Sequence, residues 1–241
     1  MRVINFYSEL GFLPELEPKC QLTSVKSSPA YEIQFATEEN KDEIIDYLRE
    51  IFFKDEPLNS YLQLVTEDSP SCEPLEEFSV KNLHNGINLM VVHRGKIVGL
   101  CLNVIVERGK EEPFICGDEK CDKIVDILDY ADRQCDPFAL YPDCDRGVSV
   151  QVISVEEHHR GNGIATKLLA KTRELARQRG CGFIAIGCTG KFSAKVAEKL
   201  GFKLQYSLKY ADYKVNGKVV FEPEAPHSSL TVYTQRLQLD S

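Results

Sequence analysis

Two short stretches of the sequence hold residues that could do chemistry. The first is Arg160-Gly161-Asn162-Gly163, which comes directly before a strongly periodic apolar pattern. Glycine reaches left-handed backbone angles and lets a ligand approach closely, so amides at the start of a following helix can surround a phosphate or pyrophosphate group. Arg160 adds a positive charge. The simpler alternative is that the glycines only turn the chain from a strand into a helix.

Two common phosphate-binding signatures do not fit this loop. A P-loop has four residues between its glycines, followed by Lys and then Ser or Thr, whereas here a single residue separates Gly161 from Gly163. A dinucleotide-binding turn requires a small residue where Thr166 stands and an acidic residue at the end of the next strand, which instead ends at Gly187-Cys188. The loop therefore excludes a P-loop nucleotide triphosphatase and argues against a dinucleotide-binding enzyme.

The second stretch is Asp55-Glu56-Pro57, at the end of an amphipathic helical pattern. The proline pushes Glu56 out of helical geometry and ends the helix beside Phe52 and Phe53. A carboxylate held next to aromatic rings has a raised pKa, which makes Glu56 a candidate general base. The alternative is an exposed glutamate before a helix-stopping proline. We expect Asp55 to point elsewhere.

The elements that must position these stretches form a mixed α/β pattern. Residues 31–36 alternate as a strand does, Thr37 caps a helix, and residues 87–106 form a hairpin that turns at Arg94-Gly95. A second helix covers residues 120–133. The remaining elements are the long helix ended by Gly180, a strand at 183–188, a short helix ended by Gly201, and two closing strands at 202–210 and 229–237.

The strand before the glycine loop has a phase slip. Val148, Val150 and Val152 share one face in strict alternation, but Ile153 and Val155 then continue on the other. One extra residue in the ladder explains such a slip, so we predict a β-bulge around Val152 and Ile153.

Composition limits the class of protein. The chain has 241 residues, 43% of them apolar, which predicts one domain over residues 30–241 after an N-terminal arm at 1–29. A net charge of −8 argues against a nucleic-acid partner and suits a cationic substrate. Nine scattered cysteines indicate a reducing compartment. Neither a signal peptide nor an 18-residue apolar run is evident, so we expect a cytoplasmic protein without membrane contact.

Four stretches together resemble a known family. Residues 160–165, RGNGIA, are similar to a variant of the acyl-CoA motif Q/R-x-x-G-x-G/A of the GNAT superfamily of N-acyltransferases, although the first position of the full motif falls on His158. Three further stretches resemble the insect-type arylalkylamine N-acetyltransferases: FFKDEPLN at 52–59, CTGKFSAKVAEKLGF at 188–202 and APH at 225–227. The resemblance spans roughly residues 31–237.

The resemblance implies a GNAT fold: a mixed, mostly antiparallel twisted sheet of about seven strands flanked by helices, with a β-bulge in the central strand before the CoA loop. It implies acetyl-CoA as co-substrate, Glu56 as general base, and Thr189 and Ser193 as hydroxyls near the reacting sulfur, with Tyr206 as another candidate acid. Glu56, Pro57 and His227 would contact the amine. The expected CoA contacts are Ile153, Ser154, Val155, Arg160, Gly161, Asn162, Gly163, Ile164, Ala165 and Ser193.

The implied reaction is acetyl transfer to a small arylalkylamine, such as dopamine, serotonin, tyramine or octopamine, by direct attack in a ternary complex. An alkylamine with a pKa near 10.4 is almost fully protonated at neutral pH, and forming its free base costs about 4–5 kcal/mol. A carboxylate base would remove this proton and so provide the free amine that attacks. The alternatives are a polyamine or agmatine acetyltransferase of the same fold and a non-catalytic acyl-CoA-binding protein. We expect a monomer.

The cysteine spacing predicts no metal site. Cys116, Cys121, Cys135 and Cys144 are the nearest to a cluster along the chain, but none belongs to a C-x-x-C pair of the kind that binds zinc.

Overall fold

The structure is a computed structural model, and it describes residues 31–110 and 114–238. The predicted arm at 1–29 lies outside the described residues, so the domain boundary near residue 30 stays a prediction. No helix in the described part of the chain is long and apolar enough to cross a membrane.

A seven-stranded sheet forms the centre of the molecule, with the strand order β1-β2-β3-β4-β5-β9-β6. All neighbouring strands in it are antiparallel except β4 and β5, which confirms the predicted mixed, mostly antiparallel sheet. The short strands β7 and β8 form a separate hairpin that was not predicted. The strands are β1 (Glu32–Phe35), β2 (Leu89–His93), β3 (Lys96–Glu107), β4 (Arg146–Val155), β5 (Phe183–Cys188), β6 (Lys203–Lys209), β7 (Lys214–Val215), β8 (Lys218–Val219) and β9 (Ser229–Arg236).

Helices cover both faces of the sheet. The α-helices are α1 (Lys41–Tyr47), α2 (Phe53–Asp55), α3 (Pro57–Leu62), α4 (Glu73–Val80), α5 (Glu119–Gln134), α6 (Pro137–Leu140), α7 (Ile164–Gln178) and α8 (Lys191–Lys199). Helical turns of the 3₁₀ type occupy Glu38–Asn40, Leu83–Asn85, Glu157–His159 and Tyr210–Asp212, and a π-helical segment, Leu48–Phe52, joins α1 to α2.

Two apolar cores lie on opposite faces of the sheet. One is formed with α1 to α5 and contains Phe53 and Ile127, which are almost completely buried. The other is formed with α7 and α8 and contains Leu168 and Leu169. The buried residues of these helices recur at helical spacing, as an amphipathic pattern in the sequence requires.

The first helical segment ends where its sequence predicts. Helix α2 ends at Asp55, and Glu56 has an extended ψ of 127°. The chain does not then enter a loop directly, because α3 begins at Pro57. Proline suits the first position of a helix, where its missing amide hydrogen would have no partner, and Glu56 becomes the N-cap. This short helix was missed in the sequence.

The predicted bulge exists one residue earlier than expected. Leu102 pairs with Val152 and Asn103 pairs with Val150, so Gln151 is the extra residue of β4. Val148 and Val150 consequently pack toward α7, whereas Val152 packs in the core on the other face. The expectation that all three valines share a face was wrong, because the bulge precedes Val152 instead of following it.

The contact between β4 and β5 gives a prediction about stability. A Cβ added at Gly147 would lie 2.2 Å from the Phe183 ring, so Gly147→Ala should overpack the core and lower the free energy of unfolding by about 1–3 kcal/mol. Gly187→Ala on β5 is the control, since its Cβ would meet no atom within 4 Å. Urea unfolding measures both variants, and equal unfolding midpoints would contradict the overpacking.

Candidate active site

The two central parallel strands separate next to the bulge. The pairing of β4 with β5 runs from Gly147–Phe183 to Val150–Ile186, and no pair with β5 follows in the described structure. The rest of β4, up to Val155, pairs with β3 alone. One edge of β4 therefore faces an opening in the sheet, where backbone groups are available to a ligand.

Two cavities meet in this opening. The first, of about 290 Å³, lies between β4 and the helices α4 and α5, and the second, of about 570 Å³, follows the glycine loop and the start of α7. The two cavities have five lining residues in common, which are Phe52, Glu56, Ile153, Thr189 and Ser193.

The charged residues that line the two cavities differ. The first contains the carboxylates of Glu56, Asp129 and Asp132, and none of its described lining residues is Lys or Arg. The second contains Arg160 and Lys199 but also the carboxylates of Asp55 and Glu56, so its formal charges balance. The first cavity thus suits a cationic ligand, whereas an anionic ligand in the second would depend on the backbone amides of the glycine loop and of the start of α7.

Glu56 lies at the junction of the cavities and is held by its own helix. Its Oε2 accepts a hydrogen bond from the Asn59 amide at 2.7 Å, as an N-cap does. Its Oε1 is buried and has no hydrogen-bond partner among the described residues. Burial raises the pKa of Glu56, and the Thr189 side chain and the amides of Asn59 and Leu58 counteract this rise only in part. An enclosed carboxylate with a raised pKa and an unoccupied oxygen can accept a proton.

The glycine loop has the backbone that its sequence predicts. Gly161 and Gly163 have φ angles of 81° and 73°, and α7 begins directly afterwards at Ile164. A Cβ at either glycine would meet no atom within 4 Å, so open space lies above the loop. Left-handed glycines, a helix N-terminus and an adjacent free strand edge fit a pyrophosphate with a pantetheine chain.

Nine of the ten residues that the resemblance assigns to CoA line the second cavity, and Asn162 is the exception. The Asn162 side chain donates to the His159 carbonyl at 3.1 Å and therefore braces the loop from within. Sequence reasoning missed Lys199, which lines the same cavity from the last turn of α8.

Arg160 connects the glycine loop to the residue before Glu56. Its guanidinium donates to Asp55 Oδ2 at 2.7 Å and to the Val155 carbonyl at 3.0 Å. Asp55 turns toward the glycine loop and lines the second cavity but not the first, in agreement with the expectation that it points elsewhere than Glu56.

The two hydroxyl residues line both cavities, Thr189 from the turn after β5 and Ser193 from the first turn of α8. Ser193 Oγ donates to the Gly190 carbonyl at 3.0 Å, and the Thr189 carbonyl accepts from the Tyr210 hydroxyl at 2.6 Å. Tyr206, the other candidate acid, lines neither of the two cavities. The structure thus brings Thr189 and Ser193, but not Tyr206, together with Glu56.

Pro57 and His227 line the second cavity and not the first. His227 Nδ1 accepts from the Lys191 amide at 3.1 Å at the start of α8. Burial lowers the pKa of His227, and the charge of Asp55 counteracts this only in part. The histidine therefore favours its neutral form, in which Nδ1 can accept a hydrogen bond.

Aromatic rings form part of the first cavity. Phe52 lines it together with Phe78 and Phe114, whose rings stack at 4.1 Å. The sequence could not separate these rings from Tyr61, Tyr210 and Tyr213, which instead surround Phe221. It also missed Asp129 and Asp132, although a spacing of three residues on α5 places them on one side of that helix.

The comparison with protein families agrees with this geometry. The model of the acetyltransferase (GNAT) family matches residues 42–202. The chain belongs to the GNAT acetyltransferase family. GNAT enzymes use acetyl-CoA, and the chain is therefore an acetyl-CoA-dependent N-acetyltransferase with the GNAT fold.

Three solved structures resemble this GNAT enzyme over 86–87% of its length. Arylalkylamine N-acetyltransferase 2 from Aedes aegypti is 29% identical, with a TM-score of 0.79 and 99% of that chain covered. A putative arylalkylamine N-acetyltransferase 7 from the same mosquito is 22% identical, with a TM-score of 0.78 and 88% covered. The polyamine N-acetyltransferase of Drosophila melanogaster, which forms N-acetylagmatine, is 20% identical, with a TM-score of 0.71 and 100% covered.

The glycine loop of this GNAT enzyme gives a prediction about acetyl-CoA. In Gly163→Ala a side chain at φ 73° stands at the mouth of the second cavity, so acetyl-CoA should bind at least about tenfold more weakly, which is 1.4 kcal/mol. Gly95→Ala is the control, because it places similar strain, at φ 77°, in the β2–β3 turn. Calorimetric titration with acetyl-CoA measures both, and equal affinities would contradict the assignment of the loop.

Proposed function

We propose that this enzyme transfers the acetyl group of acetyl-CoA to the primary amine of small arylalkylamines of the dopamine, serotonin, tyramine and octopamine type. The observation that carries the proposal is the position of Glu56 between an aromatic, acidic cavity and a second cavity that contains the glycine loop. The first cavity would hold the amine and the second the CoA part of acetyl-CoA, with the acetyl group at their junction.

Glu56 would start the reaction by accepting a proton from the ammonium form of the substrate, directly or through water. The amine nitrogen then attacks the thioester carbonyl, so that a C–N bond forms and the C–S bond breaks. CoA leaves as a thiolate, which takes up the second proton that the nitrogen loses as it becomes an amide. Backbone amides along the free edge of β4 would stabilise the developing oxyanion. No acyl-enzyme is needed, because the amine attacks in the ternary complex.

The hydroxyls of Thr189 and Ser193 would face the pantetheine and the leaving sulfur. A thiol has a pKa of about 8.5, so the thiolate leaves readily and an acid gives only modest assistance. The Ser193 hydroxyl donates to the Gly190 carbonyl and would have to reorient toward the sulfur. Thr189 also adjoins Glu56 and moderates the pKa of its carboxyl.

The aromatic lining favours an arylalkylamine over other amines. Phe52, Phe78 and Phe114 offer ring faces for an aryl group, while Glu56 attracts the ammonium. The name of the Aedes aegypti relative at 29% identity supports the same substrate class.

One feature of the same cavity favours a second candidate, agmatine or a polyamine. Asp129 and Asp132 are exposed on α5 and line the first cavity, where they could attract a second cationic group of an extended substrate. The Drosophila melanogaster enzyme that forms N-acetylagmatine has the same fold.

Replacing Glu56 tests the proposed base. Glu56→Gln preserves size and capping but cannot accept the proton, so turnover at neutral pH should fall by about 10²–10⁴-fold. The loss should shrink at high pH, where the free amine is abundant. Burial raises the pKa of Glu56, so the parent enzyme should lose activity on acidification at a higher pH than it would with a carboxylate of ordinary pKa. The variant has no carboxylate at this position and should lack this part of the pH dependence.

Thiol release from acetyl-CoA is measured from about pH 6 to about pH 10. This range covers the loss of activity on acidification and the rise in free amine at high pH. Glu50→Gln is the matched control, because Glu50 is exposed on the π-helical segment and lines neither cavity. Parallel pH profiles for the parent and Glu56→Gln would contradict the assignment of Glu56 as the general base. Binding of acetyl-CoA without thiol release from any amine would instead indicate a non-catalytic acyl-CoA-binding protein.

An amine panel separates the two substrate classes. Phe78→Ala should lower kcat/KM for dopamine and tyramine by about tenfold or more, because ring contact worth about 1.5–3 kcal/mol is lost. Asp129→Asn should leave these two substrates unchanged. If agmatine instead outcompetes dopamine at fixed acetyl-CoA, and Asp129→Asn lowers kcat/KM for agmatine alone, the second candidate replaces the first.

A further inference from the structure

Three buried cysteines from separate parts of the chain meet beside the first cavity. Cys72 immediately precedes α4, Cys116 lies in the loop before α5, and Cys121 lies in the first turn of α5. Their Sγ atoms all lie within 4.8 Å of one another, and those of Cys72 and Cys116 are 3.8 Å apart. The proposed acetyl transfer uses none of these thiols.

We propose that Cys72, Cys116 and Cys121 together bind one thiophilic metal ion, Zn²⁺ or Cu⁺, through their three sulfurs. Zinc–sulfur bonds of about 2.3 Å place ligand sulfurs about 3.8 Å apart in a tetrahedral site and about 4.0 Å apart in a trigonal one. The separation of Cys72 and Cys116 already has this value, and small side-chain rotations suffice for the others. Soft thiolates select these two ions over Mg²⁺ or Ca²⁺.

Neighbouring carboxylates fix the backbone of two of the ligands. Glu76 Oε1 accepts from the Cys72 amide at 3.1 Å, and Asp122 Oδ1 accepts from the amides of Cys116 and Gly117 at 3.2 and 3.1 Å. Glu76 is itself held by two hydrogen bonds from Arg49, at 2.8 and 2.7 Å. Such outer contacts orient the ligands of metal sites and reduce the freedom lost when an ion binds.

Binding would replace protons with the ion. Coordination of Zn²⁺ by three thiols releases three protons and leaves a centre of net charge −1. The N-termini of α4 and α5 adjoin the trio and favour this negative charge. Cys121 also lines the first cavity, which provides a path of entry.

The sequence concealed this group because its members are distant along the chain. The expectation of no metal considered Cys116 and Cys121 together with Cys135 and Cys144. In the structure the third member of the cluster is Cys72. Cys135 lies at the far end of α5, and Cys144 packs beside Phe183. Folding thus forms a cluster that no short spacing motif predicts.

The test uses the full chain, freed of metal with a chelator and kept reduced. Titration with Zn²⁺ against a chromophoric chelator, and with Cu⁺ against a Cu⁺-specific one, should show one equivalent bound for at least one ion. Co²⁺ should add a thiolate charge-transfer band. Cys116→Ser should weaken the binding by about 100-fold or more, since even outer partners of metal ligands contribute 10–100-fold. Cys135→Ser, on the same helix as Cys121, should bind as the parent does.

Circular dichroism and calorimetry with acetyl-CoA confirm that each variant is folded, and Cys72→Ser provides a second loss-of-ligand variant. If neither ion binds at one equivalent to the folded parent, or if Cys116→Ser and Cys72→Ser bind like the parent, the site does not exist. This result is independent of the proposed amine, because it measures bound metal and not acetyl transfer.

Discussion

The structure depends on one extra residue in its central strand. Gln151 has no partner in the β3–β4 ladder, and the strand changes face at that point. Its parallel neighbour β5 follows β4 only to Val150 and then continues beside β9. A continuous parallel pair would have used its backbone donors and acceptors internally, whereas this sheet retains an open edge for a ligand. The two cavities meet where β4 and β5 separate, and the part of β4 beyond that point leads to the glycine loop.

The proposed mechanism gives Glu56 two tasks that make different demands on one carboxyl group. As the N-cap of α3 it must accept a hydrogen bond, and the nearby amides favour its charged form. As the proposed base it must be poised to take a proton, which burial promotes by penalising the charge. Each oxygen can serve one of these tasks. Oε2 accepts the hydrogen bond from the Asn59 amide, and Oε1 has no partner among the described residues. The short helix α3 therefore orients the oxygen that is proposed to accept the proton.

The sequence predicted features that are fixed by local chemistry. The turn at Arg94-Gly95, the end of the helix before Pro57 and the left-handed glycines of the loop all follow from what single residues allow. The bulge was displaced by one residue, since alternation reveals that a slip occurs but not where the ladder absorbs it. Helix α3 was missed because a proline that ends one helix can also begin the next.

Features that depend on contacts between residues far apart in the chain could not be predicted from the sequence. Neither spacing nor periodicity tells that Phe78 faces a cavity while Tyr213 packs on Phe221, or that Cys72 meets Cys116. The position of Asp55 opposite Arg160, 105 residues later, likewise arises only from the folded sheet. The family resemblance supplied residues of the site that local patterns alone would have left ambiguous, such as Thr189 and Ser193.

The two cavities are built from different elements, and they share only five lining residues. Helices α4 and α5 wall the first cavity, whereas the glycine loop and α7 wall the second. If the first cavity holds the amine and the second the CoA, as proposed, substitutions on α5 change which acceptor fits and leave the CoA contacts unchanged. Sequence change on one face of a single helix would then be enough to give enzymes that share an acyl donor but accept different amines.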